Sequence, residues 1–302
     1  MGNGHDHGGA SGERAGDRRS LALTIGLTAA VMVAEIVGGV ASNSLSLLSD
    51  AGHMFTDVLA LLLALFALSM AARPAPSRVS FGWYRVEILT ALANGVLLVL
   101  ISLFILYESW RRFVDPPDVA GPVMLAVAVV GLAANLIGLW LLRRASRRCL
   151  NLRGAAMHVL GDALSSGAVV VGGVVITVTG WNRIDPILGM GIGLVVVVGA
   201  VRLLRESVDV LLEATPKWIE LPAVSVDIKA IPGVRQVHDL HIWSITSDMT
   251  ALSGHVVLDA ETIAHSDRIL NTIKALLKDR YRIHHTTIQI ESEAYDEIGD
   301  VH

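Results

Sequence analysis

Apolar runs separated by short polar segments occupy the first two thirds of the chain. A helix needs ~20 residues to cross a hydrocarbon core of ~30 Å, and six runs reach that length. They lie near 20–41, 45–72, 86–110, 120–142, 152–180 and 186–211. Turn-forming residues separate them, for example Ser42-Asn43-Ser44 and the Pro-Pro pair at 116–117. Because backbone polar groups inside a bilayer must be satisfied within the segment, each run is predicted to be a transmembrane α-helix.

After Glu213 the pattern becomes that of a small soluble domain. A helix is predicted at 216–230, with Pro216 in its first turn, and another at 262–281. Alternation of apolar and polar residues predicts strands at Val234–Ile245, Ala251–Leu258 and Thr286–Ile290. The order α-β-β-α-β is typical of a compact α+β domain.

These patterns predict three parts of the chain and their orientation. The parts are a flexible N-terminal tail, a transmembrane domain, and a C-terminal domain with a short tail, at 1–19, 20–212 and 213–302. Arginines cluster on one set of connectors, at 14–19, 73–85, 143–153 and 202–205, whereas the opposite set carries only Arg111, Arg112 and Arg183. The positive-inside rule therefore puts both termini in the cytoplasm.

Composition supports an integral membrane protein and limits its chemistry. Charged residues make up 17% of the chain, against about 25% in soluble domains, and the mean hydropathy is +0.57. The net charge of −4 gives no sign of nucleic-acid binding. The single cysteine, Cys149, excludes an intrachain disulfide and a multi-cysteine metal cluster. The first 20 residues are polar, so no cleavable signal peptide is expected.

Two pairs of ionisable residues lie within predicted membrane helices. His53 and Asp57 are in the second span, and His158 and Asp162 are in the fifth. The i, i+4 spacing puts each imidazole on the same helix face as its carboxylate. A charged residue at the bilayer centre costs ~2.5–3.5 kcal/mol, so such residues usually face a partner or a cavity. One such pair is often a structural hydrogen bond, but two His and two Asp supply the four ligands of a tetrahedral zinc site.

The two pairs lie at different predicted depths. His53 is in the outer half of its span, whereas His158 is near the inner end of its own. The pairs can align only if the fifth helix projects into the cytoplasm or tilts.

Asp50, Glu35, Asn94 and Asn135 are further polar residues inside the predicted spans. Asp50 shares a helix face with His53 and is either a supporting or entry carboxylate or a helix-start residue. Glu35 stays open between a structural role and a role lining the site. Asn94 and Asn135 are predicted to hydrogen-bond between helices. None of the four is assigned as a metal ligand.

Three tracts carry a family resemblance. They are SLSLLSDAGHM at 44–54, FGWYRVE at 81–87 and HDLHIW at 238–243. On these motifs the chain, from Leu21 to Glu291, closely resembles the cation diffusion facilitator (CDF) family, the group that includes the bacterial CzcD-like and animal ZnT zinc transporters.

The resemblance implies a fold and an activity. The fold is an all-α bundle of six transmembrane helices followed by a cytoplasmic ferredoxin-like, or metallochaperone-like, α+β domain, assembled as a homodimer. The activity is export of Zn²⁺ in exchange for protons. The implied ligands of the transport site are His53, Asp57, His158 and Asp162, and an interlock is implied between Arg85 and Glu213.

The resemblance also implies a candidate regulatory Zn²⁺ site in the cytoplasmic domain. His238, His255 and Glu291 match ligand positions of the family, and His265 is a further candidate. Gln289 stands at another such position but is a poor Zn²⁺ ligand, and solvated surface histidines are the alternative interpretation.

Two other segments bear on metal binding. In the loop between helices two and three, Pro76, Val79 and Trp83 stand where some relatives carry ligands, so a metal site there is predicted to be absent. The N-terminal segment His5-Asp6-His7 either completes or feeds a site or has no role.

The predicted function is efflux of a divalent cation, with Zn²⁺ as the first candidate, by proton-coupled alternating access. Ligand imidazoles must be neutral and ligand carboxylates ionised, so metal binding expels protons. Rocking of helices two and five would open the site to each side in turn. The expected partners are divalent metal ions, protons, the lipid bilayer and a second copy of the chain, with no nucleic acid and no organic cofactor. The Arg-rich loop between helices four and five favours a bacterial inner-membrane protein.

Three alternatives remain at this stage. Cd²⁺, Co²⁺, Ni²⁺ or Fe²⁺ could be the main cargo, because ligand type does not separate them well from Zn²⁺. A membrane-anchored metal sensor would use the membrane region only as an anchor, which needs no intramembrane ligands. A membrane metalloprotease is disfavoured, because no His-Glu-x-x-His segment occurs and a four-ligand site leaves no position for catalytic water.

Overall fold

The computed structural model describes residues 26–74, 76–146 and 150–295, without the side chains of 141–146, 150–156 and 158. The predicted N-terminal tail with His5-Asp6-His7, the start of the first predicted span and Cys149 lie outside the described residues.

Long apolar helices form the membrane region. The described helices are α1 (Gly26–Ser42), α2 (Leu45–Ala71), α3 (Val86–Val114), α4 (Gly121–Ser146), α5 (Leu150–Thr179) and α6 (Ile184–Leu211). Among the described residues, α2 to α6 are the five helices long and apolar enough to cross a membrane, and α1 is a shorter apolar helix. Their bounds follow the predicted spans closely, which confirms a helical transmembrane region.

Helix α3 is one turn longer than its predicted span. It continues past residue 110 to Val114, with Arg111 and Arg112 in its last turn. Basic side chains there interact favourably with the negative end of the helix dipole. Both arginines also pair with Glu108 one turn earlier, at 3.3 Å and 2.9 Å, so the charged turn stays helical.

The described membrane helices pack through two small apolar clusters. One contains residues of α2, α4 and α5: Leu47, Met124, Ala128, Val169 and Ile176. The other brings α1, α2 and α4 together through Val31, Met54 and Ala134. Helices α4 and α5 approach closely, since a side chain at Gly173 would lie 3.0 Å from the Cα atom of Leu125. Small residues that allow such approach are typical of helix packing in membranes.

The first turn of α2 is held by a carboxylate from α6. Asp185 is buried and accepts hydrogen bonds from the backbone amides of Leu45 (2.6 Å) and Ser46 (3.1 Å). The hydroxyl groups of Ser44 and Ser46 also donate to it, both at 2.6 Å. Helix amides have no partner within the first turn, and a carboxylate there is favoured by the helix dipole. This contact fixes the beginning of α2 against the beginning of α6.

A small α+β domain follows the membrane helices. Its elements are α7 (Leu221–Lys229), β1 (Val234–Ser244), β2 (Thr250–Leu258), a 3₁₀ turn (Ile263–His265), α8 (Ser266–Tyr281) and β3 (His285–Ser292). The strands form one sheet in the order β1-β2-β3, with β1 antiparallel and β3 parallel to β2. Apolar side chains of α7 and α8, such as Ile228 and Ile273, join those of the strands in one core. The predicted order α-β-β-α-β is confirmed.

The predicted start of the first helix in this domain is wrong. We expected a helix from residue 216, whereas α7 begins at Leu221. The amide of Ile219 bonds to the carbonyl of Pro216 in a separate turn, and Glu220 is extended, with φ −92° and ψ 105°. Pro222 then occupies the first turn of α7, where a missing N–H is tolerated. The proline that marks the start of this helix is therefore Pro222 and not Pro216.

The described chain divides into two compact units. The first extends to Leu62 and resumes over Ala93–Leu203. The second comprises Leu63–Leu92 together with the residues from Leu204 onward, so it includes the loop between α2 and α3 as well as the C-terminal domain. The domain boundary predicted at 212 and 213 stays a prediction.

Removing Asp185 should destabilise the membrane region. Asp185→Ala leaves four buried donor groups without their acceptor, and each such group costs about 1–3 kcal/mol. We expect a clear fall in the thermal midpoint of the purified protein in detergent, followed by tryptophan fluorescence. The control is Asp118→Ala, which removes one exposed hydrogen bond from Asn182. An equal midpoint in the two variants would contradict the role given to Asp185.

Candidate metal centres

Three of the four predicted transport ligands converge between α2 and α5. The Nε2 atom of His53 lies 3.7 Å from Oδ2 of Asp57 and 3.9 Å from Oδ1 of Asp162. One ligand atom from each residue lies within 4.8 Å of the others. His53 and Asp57 are partly exposed, whereas Asp162 is buried. An imidazole nitrogen and two carboxylate oxygens at this spacing are a donor set for a divalent cation.

The fourth predicted ligand lies on α5, which begins at Leu150. His158 lies on α5 one turn before Asp162, and its side chain is outside the described residues.

Asp50 supports this group from α2. Its Oδ1 atom accepts a hydrogen bond from Ser165 at 2.7 Å, and Oδ2 accepts one from Ser166 at 3.2 Å. The side-chain amide of Asn135 on α4 donates to Ser166 at 3.1 Å. Asp50 therefore links α2 to α5, and the predicted interhelical hydrogen bond of Asn135 is confirmed. The amide oxygen of Asn94, in contrast, is buried without a hydrogen-bond partner among the described residues.

A second group of ligand atoms lies on the sheet of the C-terminal domain. His238 on β1 is directly opposite His255 on β2, and Glu291 is on β3, two residues after the partner of His255. The buried carboxylate of Glu291 lies between the rings, 3.0 Å from Nε2 of His238 and 2.8 Å from Nδ1 of His255. The sheet register thus brings together two imidazoles and one carboxylate from three strands.

A neighbouring residue on β3, Gln289, contacts the carboxylate of this second group. Gln289 donates a hydrogen bond to Oε1 of Glu291 at 2.8 Å, so it orients the carboxylate.

Asp239 is a residue near this group that sequence reasoning missed. It adopts φ +46° at an irregularity in β1, and its oxygens lie 2.9 Å from His241 and 3.8 Å from His255. The only sequence signal for Asp239 was its position between two histidines, His238 and His241. His265 ends the 3₁₀ turn before α8 and is not among the converging residues.

The predicted interlock is formed within the second unit. The Nη2 atom of Arg85 lies 2.6 Å from Oε1 of Glu213, which confirms the pairing. Both side chains are 40% or more exposed, so this pair contributes only about 0–1 kcal/mol. Two further contacts join the same loop region to the C-terminal domain. Ser247 donates to Glu87 at 2.9 Å, and the ring of Phe81 meets that of His285 edge to face at 5.4 Å.

Comparison with protein families gives matches over almost the whole chain. The cation efflux transmembrane domain family matches residues 21–212. The family described as the cytoplasmic domain of cation efflux proteins matches residues 216–293.

Several bacterial proteins are similar over nearly their full length. The metal cation efflux system protein CzcD of Cupriavidus metallidurans is 42% identical, over 96% of this chain and 90% of its own. A cadmium, cobalt and zinc/H⁺-K⁺ antiporter of Bacillus velezensis is 39% identical, over 98% and 94%. The zinc transporter ZitB of Shigella flexneri is 40% identical, over 96% and 93%. The solved metal-bound C-terminal domain of CzcD is 41% identical over 24% of this chain and 99% of its own, with a TM-score of 0.23.

Neutralising Glu291 should remove metal binding at the second group. Glu291→Gln keeps the shape of the side chain but removes the charge that two imidazoles share. We expect the purified protein to bind about one Zn²⁺ fewer per chain in equilibrium dialysis, because a metal site needs its ionised carboxylate. His284→Ala, an exposed histidine of the same domain, should leave the stoichiometry unchanged. Unchanged zinc binding in Glu291→Gln would refute the assignment.

Proposed function

The chain belongs to the cation diffusion facilitator family of membrane transporters, and from that premise we propose that it exports Zn²⁺ across a bacterial inner membrane in exchange for protons. The observation that carries this proposal is the convergence of His53, Asp57 and Asp162 from α2 and α5. Both helices are long and apolar enough to span a membrane, and a group of ionisable side chains between them serves a cation better than it serves packing.

The donor set favours zinc as cargo. Imidazole and carboxylate ligands suit Zn²⁺, whereas Ca²⁺ and Mg²⁺ prefer shells made only of oxygen. We assign His158 as the fourth ligand, since its position one turn before Asp162 puts both on one face of α5. Cd²⁺ and Co²⁺ are further candidate cargoes, because donor type separates them poorly from Zn²⁺ and a similar antiporter is named for all three metals.

The proposed architecture has six transmembrane helices: the five long apolar helices and one more, to which α1 belongs. Helix α1 is taken as the described part of a sixth span that begins before residue 26, with both termini in the cytoplasm. The C-terminal domain is taken as ferredoxin-like and as the dimerisation domain. The parts are then a tail at 1–19, a membrane domain at 20–212 and a cytoplasmic domain at 213–302.

Exchange of Zn²⁺ for protons follows from the protonation states that the ligands must have. Zn²⁺ binds neutral imidazole and ionised carboxylate, so its arrival from the cytoplasm displaces protons and its release outward allows them to rebind. Histidine, with a reference pKa of about 6.5, changes charge in the physiological range. Relative movement of α2 and α5 would open the site to each side in turn.

The second group is proposed as a regulatory site. His238, His255 and Glu291 would bind cytoplasmic Zn²⁺, while His265, which lies apart from them, has no assigned contact. Strand β3, which carries Glu291, begins at His285, and His285 contacts Phe81 in the loop after α2. Metal at the sheet would therefore act on that loop. A pure sensor is the alternative, but an anchor needs no ionisable group within its spans.

Loss of Asp57 should abolish transport. Asp57→Ala removes one charged ligand, and we expect zinc entry into proteoliposomes to fall to the rate of empty vesicles. Entrapped zinc and pH dyes would follow both ions, with opposite movements expected for the wild type. The control Asp115→Ala removes an exposed carboxylate outside the helices and should transport normally. The proposed transport function would be refuted if Asp57→Ala carried zinc at the wild-type rate. It would also be refuted if the wild type showed no zinc flux.

Exchanging the imidazole for a carboxylate should broaden cargo selection. His53→Asp replaces a nitrogen donor by a harder oxygen donor, which suits Mn²⁺. We expect the ratio of Zn²⁺ to Mn²⁺ uptake, measured in competition, to fall by about tenfold or more in the variant, the effect of ~1.4 kcal/mol of differential binding. Equal uptake of the two metals by the wild type would contradict this reasoning.

A further inference from the structure

The C-terminal domain contains a cavity that neither metal group uses. It has a volume of about 480 Å³ and lies between the segment after α6, the turn between β1 and β2, and the end of α8. Two guanidinium groups, an imidazole, an indole and a hydroxyl group line it, from Arg280, Arg282, His284, Trp218 and Ser247. Among the described lining residues, Asp248 supplies the one carboxylate. Positive charge and N–H donors therefore outweigh negative charge in this cavity.

Arg282 occupies a backbone position that favours glycine. It ends α8 in the left-handed conformation, with φ +56°, and its amide bonds to the carbonyl of Lys278 at 3.1 Å. Glycine adopts this conformation at least cost, because it has no Cβ atom. The Arg282 side chain is exposed, and it forms no ion pair within the described part of the chain. A long cationic side chain at such a position indicates a role for its charge.

Arg280 and Trp218 extend the site beyond a single charge. One guanidinium nitrogen of Arg280 lies 2.6 Å from Asp227, and a guanidinium group has five N–H donors, so others stay available. The planar fork of these donors matches the oxygens of a phosphate group. Trp218 is 66% exposed, and its ring combines an apolar body with an N–H donor. This combination suits a ligand in which a phosphate group adjoins an apolar part.

The cavity lies at the level of the lipid headgroups. Helices α3 and α6 have 29 and 28 residues. At ~1.5 Å per residue, each is about as long as a bilayer with its headgroups is thick, ~40–45 Å. Lys217, the neighbour of Trp218, lies 3.4 Å from Asp209 in the last turn of α6. Ser247 donates a hydrogen bond to Glu87 in the first turn of α3, at 2.9 Å. These contacts, all within the second compact unit, hold the cavity beside the ends of two membrane helices.

We propose that this cavity binds the phosphate group of an anionic phospholipid and thereby attaches the C-terminal domain to the bilayer surface. The guanidinium groups of Arg280 and Arg282 hold the phosphate, and the indole of Trp218 packs against the glycerol and the upper part of an acyl chain. Basic pockets beside membrane helices bind anionic headgroups, and tryptophan is enriched at membrane interfaces. Lipid binding of this kind is independent of the proposed metal transport.

The test measures how short-chain lipids stabilise the purified full-length protein in detergent, with a metal chelator present. A ligand that binds only the folded protein raises the thermal midpoint, which tryptophan fluorescence follows. Dioctanoyl phosphatidylglycerol, which is anionic, should raise the midpoint of the wild type. Dioctanoyl phosphatidylcholine, which carries no net charge, should raise it much less.

Two variants on α8 and its end locate the effect. Arg282→Gly removes the charge and gives the left-handed position its preferred residue, so backbone strain cannot explain a loss of binding. We expect this variant to need about fivefold more phosphatidylglycerol for the same rise, the effect of the ~1 kcal/mol that one arginine contributes near an anionic surface. The control Arg268→Gln removes the same charge from an exposed position of α8 outside the cavity and should respond like the wild type.

Three results would overturn the inference. The first is an equal response to phosphatidylglycerol in Arg282→Gly and Arg268→Gln. The second is a rise with soluble glycerol 3-phosphate as large as that with phosphatidylglycerol and lost in Arg282→Gly, which would assign the cavity to a soluble phosphate compound. The third is a change in the oligomeric state of Arg282→Gly, measured by light scattering, with an unchanged lipid response, which would make the cavity a contact between two copies of the chain.

Discussion

Carboxylates kept away from water determine how the membrane helices meet. Asp185 is surrounded by the amides and hydroxyls at the beginning of α2, so the charge that would be unfavourable alone becomes the cap of a neighbouring helix. Asp50 takes its donors from two serines of α5. Each carboxylate thereby joins α2 to a different helix. The same helix carries His53 and Asp57, so these contacts also hold the helix on which two candidate metal ligands lie.

Two candidate metal-binding groups, built on different elements, combine the same types of donor atom. Between α2 and α5, helical spacing supplies His53 and Asp57 from one helix and Asp162 from the other. On the sheet, cross-strand register supplies His238 and His255, and Glu291 lies between them. In both groups a buried carboxylate lies beside a more accessible imidazole, so nitrogen and oxygen donors are available together. The first group lies between helices long and apolar enough to cross a membrane, and the second lies in the small C-terminal domain.

The sequence alone determined the apolar helices, the order of elements in the C-terminal domain and three candidate ligands that converge, because periodicity and i, i+4 spacing act over short distances. It also identified Arg85 with Glu213 and the histidines of the sheet, through family resemblance. It misplaced the start of α7, since two prolines compete as helix-start signals. It left Glu35 open and gave no role to Asp185 or Asp239. Glu35 is buried against Gly131 of α4, Asp185 accepts hydrogen bonds from the amides and serines that begin α2, and Asp239 lies at an irregularity in β1. Only the tertiary structure decides them, because hydrogen-bond partners and burial come from residues distant in the chain.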